Sequence, residues 1–232
     1  MKKIDVTLIG FGTVGKTVSS TFNEVNIENI VITPGFEHNL ENQFKKKLIS
    51  WADFLAMPSR IFFVCIGYQN LNKVRESIFT QALDSKHIPL TLVHKTAYVS
   101  KTAVIGPGSL IMPNSTVENH STIGKGSFIW SGSVIGHDSS VGNFAFLSAN
   151  VSVGGSASIG HFSLVGLGSI IGNKVSVGES SIIGAGSKLG KHVPPGSVVL
   201  QSDTVVSEWP SQEFLKLTNF DNIQDPETNS PM

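Results

Sequence analysis

An aliphatic residue recurs at every sixth position, without a break, from Val99 through Ile105, Ile111, Val117 and onward to Ile183 and Leu189. The next position is Gly in most of these units (Gly106, Gly124, Gly136, Gly142 and others), and the fifth is small or β-branched throughout. A helix cannot keep a period of six on one face, because at about 3.6 residues per turn the repeat drifts around the axis. Short strands can. If each hexad is one strand and one corner, about three hexads close a triangular coil whose aliphatic residues share one stack. Glycine and small polar residues then suit corners with unusual backbone angles. One hexad buries little apolar surface alone, so stacking stabilises it, and the expected architecture is a parallel β-helix.

The remaining length leaves room for a second modest domain in a chain of 232 residues. Lys plus Arg and Asp plus Glu both number 17, so no global field argues for nucleic acid or an anionic membrane. The one cysteine, Cys65, lies in the apolar run Ile61 to Ile66 and excludes a disulfide framework. Gly10 interrupts the N-terminus before a signal-peptide core develops, and no apolar run approaches the ~20 residues of a membrane span. The expectation is a cytoplasmic protein with no membrane insertion.

Before the repeats, Ile4 to Ile9 reads as a strand entering Gly10-Phe11-Gly12-Thr13-Val14-Gly15, followed by a helix over Lys16 to Val25. A G-x-G-x-x-G between strand and helix lets backbone N–H groups approach a phosphate or carboxylate; a tight turn without ligand is the alternative. A second strand over Asn29 to Ile32 ends in Thr33-Pro34-Gly35, without the acidic residue a nicotinamide dinucleotide site wants, which argues against a dehydrogenase. The third strand, Ile61 to Ile66, leads into Gly67-Tyr68-Gln69-Asn70-Leu71-Asn72-Lys73-Val74-Arg75 and a helix to about Leu83. That loop has the composition to grip a nucleotide, or to begin a helix with a solvated basic face. Leu90 to Val93 reads as a further strand, with the domain boundary near His94.

Within the repeat the exceptions stand out. Trp130 replaces a corner glycine, Glu118-Asn119-His120 replaces another, and Ile135-Gly136 is followed by His137-Asp138. At about eighteen residues per coil Asn119 falls one layer beneath His137. A histidine with a carboxylate fixing one ring nitrogen leaves the other free to accept a proton; a corner histidine in a solvated turn is the bland alternative. His161 and His192, without an adjacent acid, keep the bland reading. The prolines of His192-Val193-Pro194-Pro195 end regular pairing, Thr204 to Val206 and Ser211 to Leu217 suit a C-terminal cap, and the polar stretch Asn219 to Met232 suits a tail.

The hexads resemble the left-handed β-helix acyltransferases, and the layout from Ile4 to about Val199 is similar to the bacterial sugar acetyltransferase family of sialic-acid O-acetyltransferases and nucleotide-linked amino-sugar N-acetyltransferases. Two motifs carry the match: Trp130-Ser131-Gly132-Ser133-Val134-Ile135-Gly136-His137-Asp138 resembles the catalytic corner, and Cys65 to Arg75 resembles the nucleotide-sugar loop of members acting on dTDP-linked 4-amino-4,6-dideoxyglucose. The resemblance implies a Rossmann-like α/β domain over residues 1–94, a left-handed parallel β-helix over 95–200, and a cap and tail over 201–232. It implies an N-acetyltransferase that uses acetyl-CoA as co-substrate, without metal, and assembles as a homotrimer. His137 becomes the general base, Asp138 its orienting acid and the Gly155 N–H the oxyanion donor. Leu167, Ala185 and Gly186 become acetyl-CoA contacts. Gly10, Phe11, Gly12, Gly67 and Tyr68 become nucleotide-sugar contacts, with Arg75 assigned to the pyrophosphate. Phe146 stands where relatives place a further histidine. The rivals are an O-acetyltransferase on a sugar hydroxyl, a metal-dependent β-helix enzyme using His120, His137 and His161, and a non-catalytic binding module.

Overall fold

The structure is a computed structural model that describes residues 3–32 and 47–201. The expected cap and tail, and Thr33-Pro34, lie outside the described residues.

Each hexad forms a two-residue strand, and strands eighteen residues apart pair in parallel: Thr116 with Val134 and Val117 with Ile135, Thr122 with Ser140 and Ile123 with Val141. Three parallel sheets result and form the faces of the β-helix. Face I has seven strands, from Leu92–Val93 to Val198–Val199; face II has six, from Tyr98–Val99 to Lys188–Leu189; face III has five, from Val104–Ile105 to Ser176–Val177. At Pro194-Pro195 the spacing shortens, and Val193 forms only an isolated bridge to Val177. The recurrent aliphatic residues fill the interior, with Val117, Ile129, Ile135, Leu147 and Val165 all 0% exposed. At about 1.5–3 kcal/mol for each such side chain, this column is the main stabilising term of the repeat.

The corners correct the reason for the glycines. Gly106, Gly124 and Gly136 do not have positive φ; a Cβ on Gly124 would lie 2.5 Å from the Asn143 nitrogen of the next coil. They are there for close stacking. The left-handed conformation falls two positions later, on Asn114, His120, Asp138, Phe144 and Asn150 among others, with Asp138 at φ 56°. Polar short side chains tolerate that region better than β-branched ones. The buried serines of the fifth position link coils: Ser127 Oγ donates to the Gly142 carbonyl (2.7 Å) and accepts from the Ala145 N–H (3.1 Å).

The N-terminal layer is a five-stranded parallel sheet of β1 (Ile4–Ile9), β2 (Val25–Val31), β3 (Leu48–Ile49), β4 (Ile61–Val64) and β5 (Ile88–Pro89), in the order β3-β2-β1-β4-β5. Helices span Thr13–Thr21, Trp51–Ala56 and Lys73–Asp84. The first helix ends earlier than expected because β2 starts at Val25: Val25 and Ile27 are buried while Asn26 and Glu28 are not, a strand alternation. β3 and the helix capped by Ser50, whose Oγ accepts from the Asp53 N–H, were not anticipated. The strand expected over Leu90 to Val93 divides, since Ile88–Pro89 pairs with β4 while Leu92–Val93 is already the first rung of face I. The outward residues of that face, Leu92, Leu110, Phe128 and Phe146, are buried with Phe63 and the β1 side chains, and the Phe63 ring stacks on Phe128 at 5.7 Å.

Candidate active site

The order β3-β2-β1-β4-β5 puts a topological switch point between β1 and β4, where open parallel sheets bind ligands beyond the carboxyl ends of the strands. The loops after these strands, Gly10 to Val14 and Cys65 to Gln69, line a cleft of about 340 Å³ closed on its other side by Trp130 and Phe146. Gly10 has φ 87°, and a Cβ on Gly15 would lie 2.8 Å from the Gly10 carbonyl oxygen, so both glycines are required by the turn. The N-terminus of the Thr13–Thr21 helix faces the same loop and has no side-chain cap, which leaves its N–H groups suited to an anion. Tyr68 is 57% exposed, and its ring meets Phe146 edge-on at 5.2 Å. Gly10, Phe11, Gly12, Gly67 and Tyr68 are therefore together. Gln69 of the same loop joins them, as do Trp130 and Phe146 from the β-helix, which sequence reasoning did not place there. Cys65 also borders this cleft, but burial raises its thiol pKa well above the ordinary value, so it stays protonated.

Arg75 is not in the cleft. It is 1% exposed, and its guanidinium donates to the Ile66, Gly67, Gly126, Phe144 and Ala145 carbonyls while lying 4.2 Å from the Phe128 ring centroid. The pyrophosphate role assigned to it is incorrect: its five bonds to backbone oxygens leave no side of the guanidinium open to a ligand.

His137 sits at the corner between faces II and III. Its Nδ1–H donates to Asp138 Oδ2 at 2.8 Å, which leaves Nε2 as the free nitrogen. Asp138 Oδ1 lies 3.5 Å from Nδ1 of His120, the residue eighteen positions back and one coil below. From that lower coil Glu118 also accepts the His137 backbone N–H at 2.9 Å. The hydrogen bond to Asp138, with the Asp138 and Glu118 charges, raises the His137 pKa above 6.5; the same hydrogen bond lowers that of Asp138. The irregular Glu118-Asn119-His120 unit therefore braces the corner, with Asn119 accepting from Asp138 N–H through its carbonyl and Glu118, Asn119 and Tyr98 lining a hollow beside His137. The eighteen-residue spacing from His120 to Asp138 was the available signal for this.

Gly155 lies one coil above, and a Cβ there would come within 2.5 Å of His137 Nε2, so the imidazole rests on it. Its N–H, however, donates to Asn173 Oδ1 at 2.9 Å. Leu167, Ala185 and Gly186 fall on a different corner, between faces I and II, in the coils above Trp130; Leu167 is 55% exposed and a Cβ on Gly186 would meet nothing within 4 Å. His161 belongs to the third corner, where its Nδ1 accepts from the Asn143 N–H, and His192 contacts Ser176. Among the described residues no group of His, Cys, Asp or Glu is placed to hold a metal ion, and no helix is long and apolar enough to cross a membrane.

Residues 102–137 match the family model described as bacterial transferase hexapeptide (six repeats). No curated protein sequence matches the chain. Among solved structures, a mutant of perosamine N-acetyltransferase from Caulobacter crescentus in complex with CoA and GDP-perosamine superposes with a TM-score of 0.76 at 22% identity, covering 84% of this chain and 92% of that one. The acetyltransferase domain of PglB from Neisseria gonorrhoeae FA1090 superposes with a TM-score of 0.72 at 24% identity over 84% and 95% of the two chains, and it is known also in complex with acetyl coenzyme A. WeeI from Acinetobacter baumannii AYE gives 0.74 at 21% identity over 88% and 100%. Residues 102–137 thus carry the bacterial transferase hexapeptide repeat, and the chain shares the fold of these solved structures.

Proposed function

We propose that this protein transfers acetyl from acetyl-CoA to the 4-amino group of a nucleotide-linked 4-amino-4,6-dideoxy sugar. The observation that carries the reading is the His137–Asp138 pair at 2.8 Å on a hexapeptide corner, in a chain that also holds a switch-point cleft. In this reading the N-terminal layer is Rossmann-like and takes the nucleotide sugar at Gly10, Phe11, Gly12, Gly67 and Tyr68. The β-helix is left-handed and takes acetyl-CoA along Leu167, Ala185 and Gly186. The fold shared with acetyltransferases whose structures hold CoA, acetyl-CoA or GDP-perosamine supports both assignments.

His137 Nε2 accepts the amine proton while the amine nitrogen bonds to the thioester carbonyl carbon; the C–S bond then breaks and the CoA thiolate leaves. Asp138 holds the ring in the tautomer with Nδ1 protonated. Transfer is direct, because the buried, protonated Cys65 offers no acyl-accepting thiolate. The product is an activated N-acetylated sugar, the kind of donor that glycan assembly consumes.

The cleft and the CoA residues border the I/II corner, whereas His137 occupies the II/III corner, and the two hollows share no lining residue. One chain therefore does not gather all three parts. A homotrimer, in which the II/III corner of one copy meets the I/II corner of the next, is the arrangement we infer. The test is CoA-thiol release by the purified protein with acetyl-CoA and dTDP-4-amino-4,6-dideoxyglucose or its UDP and GDP counterparts. Turnover is expected with one of them, and His137→Ala is expected to lower kcat by at least ~100-fold with the fold retained. Wild-type turnover from His137→Ala would refute the mechanism.

A further inference from the structure

We propose that Trp130 and Phe146 set the specificity for the acceptor sugar, taking the methyl-bearing edge of a 6-deoxy sugar against aromatic carbon; this rests on the activity proposed above. Among the described residues no Lys, Arg, Asp or Glu lines the switch-point cleft. Its two sides differ in chemistry. The loop side has the Gly10-to-Gly12 backbone and the uncapped N-terminus of the Thr13–Thr21 helix, which suit the phosphates of a nucleotide. The polar side chains of the lining, Thr13, Cys65, Tyr68 and Gln69, all belong to that side. The β-helix side has Trp130 and Phe146, whose rings lie 5.9 Å apart. The one polar side-chain atom of that wall, the indole Nε1, is buried and has no hydrogen-bond partner among the described residues, so the wall presents carbon to a ligand.

The register of the coils decides which end of the substrate meets this wall. Trp130 opens the I/II corner directly after Ile129, which pairs with Leu147, which pairs with Val165, which pairs with Ile183. The column above Trp130-Ser131 therefore runs through Ser148-Ala149 to Gly166-Leu167 and Gly184-Ala185, where the acetyl-CoA residues lie. A nucleotide sugar with its diphosphate at the helix N-terminus thus has its sugar, the part that must meet the acetyl group, at Trp130 and Phe146. The wall is also fixed in place. Phe146 is 5% exposed and packs on Phe128 at 6.0 Å, which Phe63 and the Arg75 guanidinium hold in turn. A pyranose offers C–H groups to such rings, and a C6 methyl adds apolar area to the contact. A C6 hydroxymethyl would set a hydroxyl against carbon and leave it without a partner. An apolar wall rejects an added hydroxyl by about 10- to 100-fold.

The experiment compares 4-amino-4,6-dideoxyglucose with its 6-hydroxy counterpart, 4-amino-4-deoxyglucose, each linked to dTDP, UDP or GDP, by kcat/KM and by calorimetric Kd. The wild type should favour the 6-deoxy sugar by about 10- to 100-fold in both measures. Phe146→His and Trp130→Gln put polar atoms in the wall, and each should bring the ratio to within about threefold of one while leaving CoA binding unchanged. Phe162→His, a like change at the III/I corner outside the cleft lining, should keep the wild-type ratio. Equal values for the two sugars in the wild type would overturn the proposal, as would a wild-type ratio retained in both wall variants. If Phe146→His does not fold, Trp130→Gln decides, because Trp130 is only partly buried. A wild type that transfers no acetyl yet binds the 6-deoxy sugar in preference would remove the acetyltransferase reading and leave the subsite standing; one that binds neither sugar would remove the subsite.

Discussion

Asp138 holds the key position at the residue scale, because it binds one histidine of its own coil and faces another from the coil below. Only unprotonated His137 can act as base, so kcat/KM should rise with pH through the His137 titration. The hydrogen bond to Asp138, aided by the Asp138 and Glu118 charges, puts that limb above 6.5. Asp138→Asn removes the largest of these causes and the ring's tautomer control. The limb should move down toward 6.5, and the alkaline plateau should fall by about tenfold or more. A pH profile of both proteins checks this, and an unmoved limb would remove Asp138 from the base. The pair itself was legible in sequence as a histidine and an acid side by side in a broken hexad. The occupied Gly155 amide was not, because it depends on a side-chain rotamer at Asn173, and the same Asn-to-backbone pattern at Asn143 looks identical in sequence.

At the scale of elements, the helix Lys73–Asp84 fastens the cleft to the β-helix through Arg75. Its guanidinium bridges Ile66 and Gly67 on the cleft loop to Gly126, Phe144 and Ala145 on the III/I corner. Burial pushes its pKa down to about 9, still charged at neutral pH, and carbonyl dipoles rather than a carboxylate hold the charge. Arg75→Met has similar bulk but strands several buried carbonyls, so we expect a loss of about 3 kcal/mol or more in urea unfolding. A raised KM for the nucleotide sugar should accompany it, with kcat nearly unchanged, because the Gly67-Tyr68 wall loses its anchor. Stability within about 0.5 kcal/mol of wild type would show that the bracket contributes little. Sequence reading gave Arg75 to a ligand because all its partners are backbone oxygens, three of them 51 to 70 positions away, which leave no side-chain signature. The hexads were readable for the opposite reason: each inward Ile or Val meets its own kind eighteen residues on, and the error tolerance of a repeat is large. β2 was only half read, since its exposed Asn26 and Glu28 look like loop until the pairing with β1 is known.

The whole molecule poses the question of how a base on one corner reaches a cleft on another. Face II lies between them within a chain, so in the proposed homotrimer each site takes His137 from one copy and the Gly10-to-Gly12 and Gly67-Tyr68 loops from its neighbour. Light scattering should give three times the chain mass, but mass alone does not locate the site. Complementation does. His137→Ala and a cleft variant such as Gly12→Trp should each be inactive as pure trimers, the second because the indole fills the loop where the nucleotide sugar enters. Co-expressed in equal amounts, they assemble randomly, and about one interface in four pairs an intact corner with an intact cleft, restoring ~25% of wild-type activity. A site contained in one chain allows no such recovery, since every subunit then carries one of the two lesions. Recovery near zero in mixed trimers, with subunit exchange verified by mass spectrometry, would place His137 and the cleft of the same chain in one site and require the acceptor sugar to reach across face II.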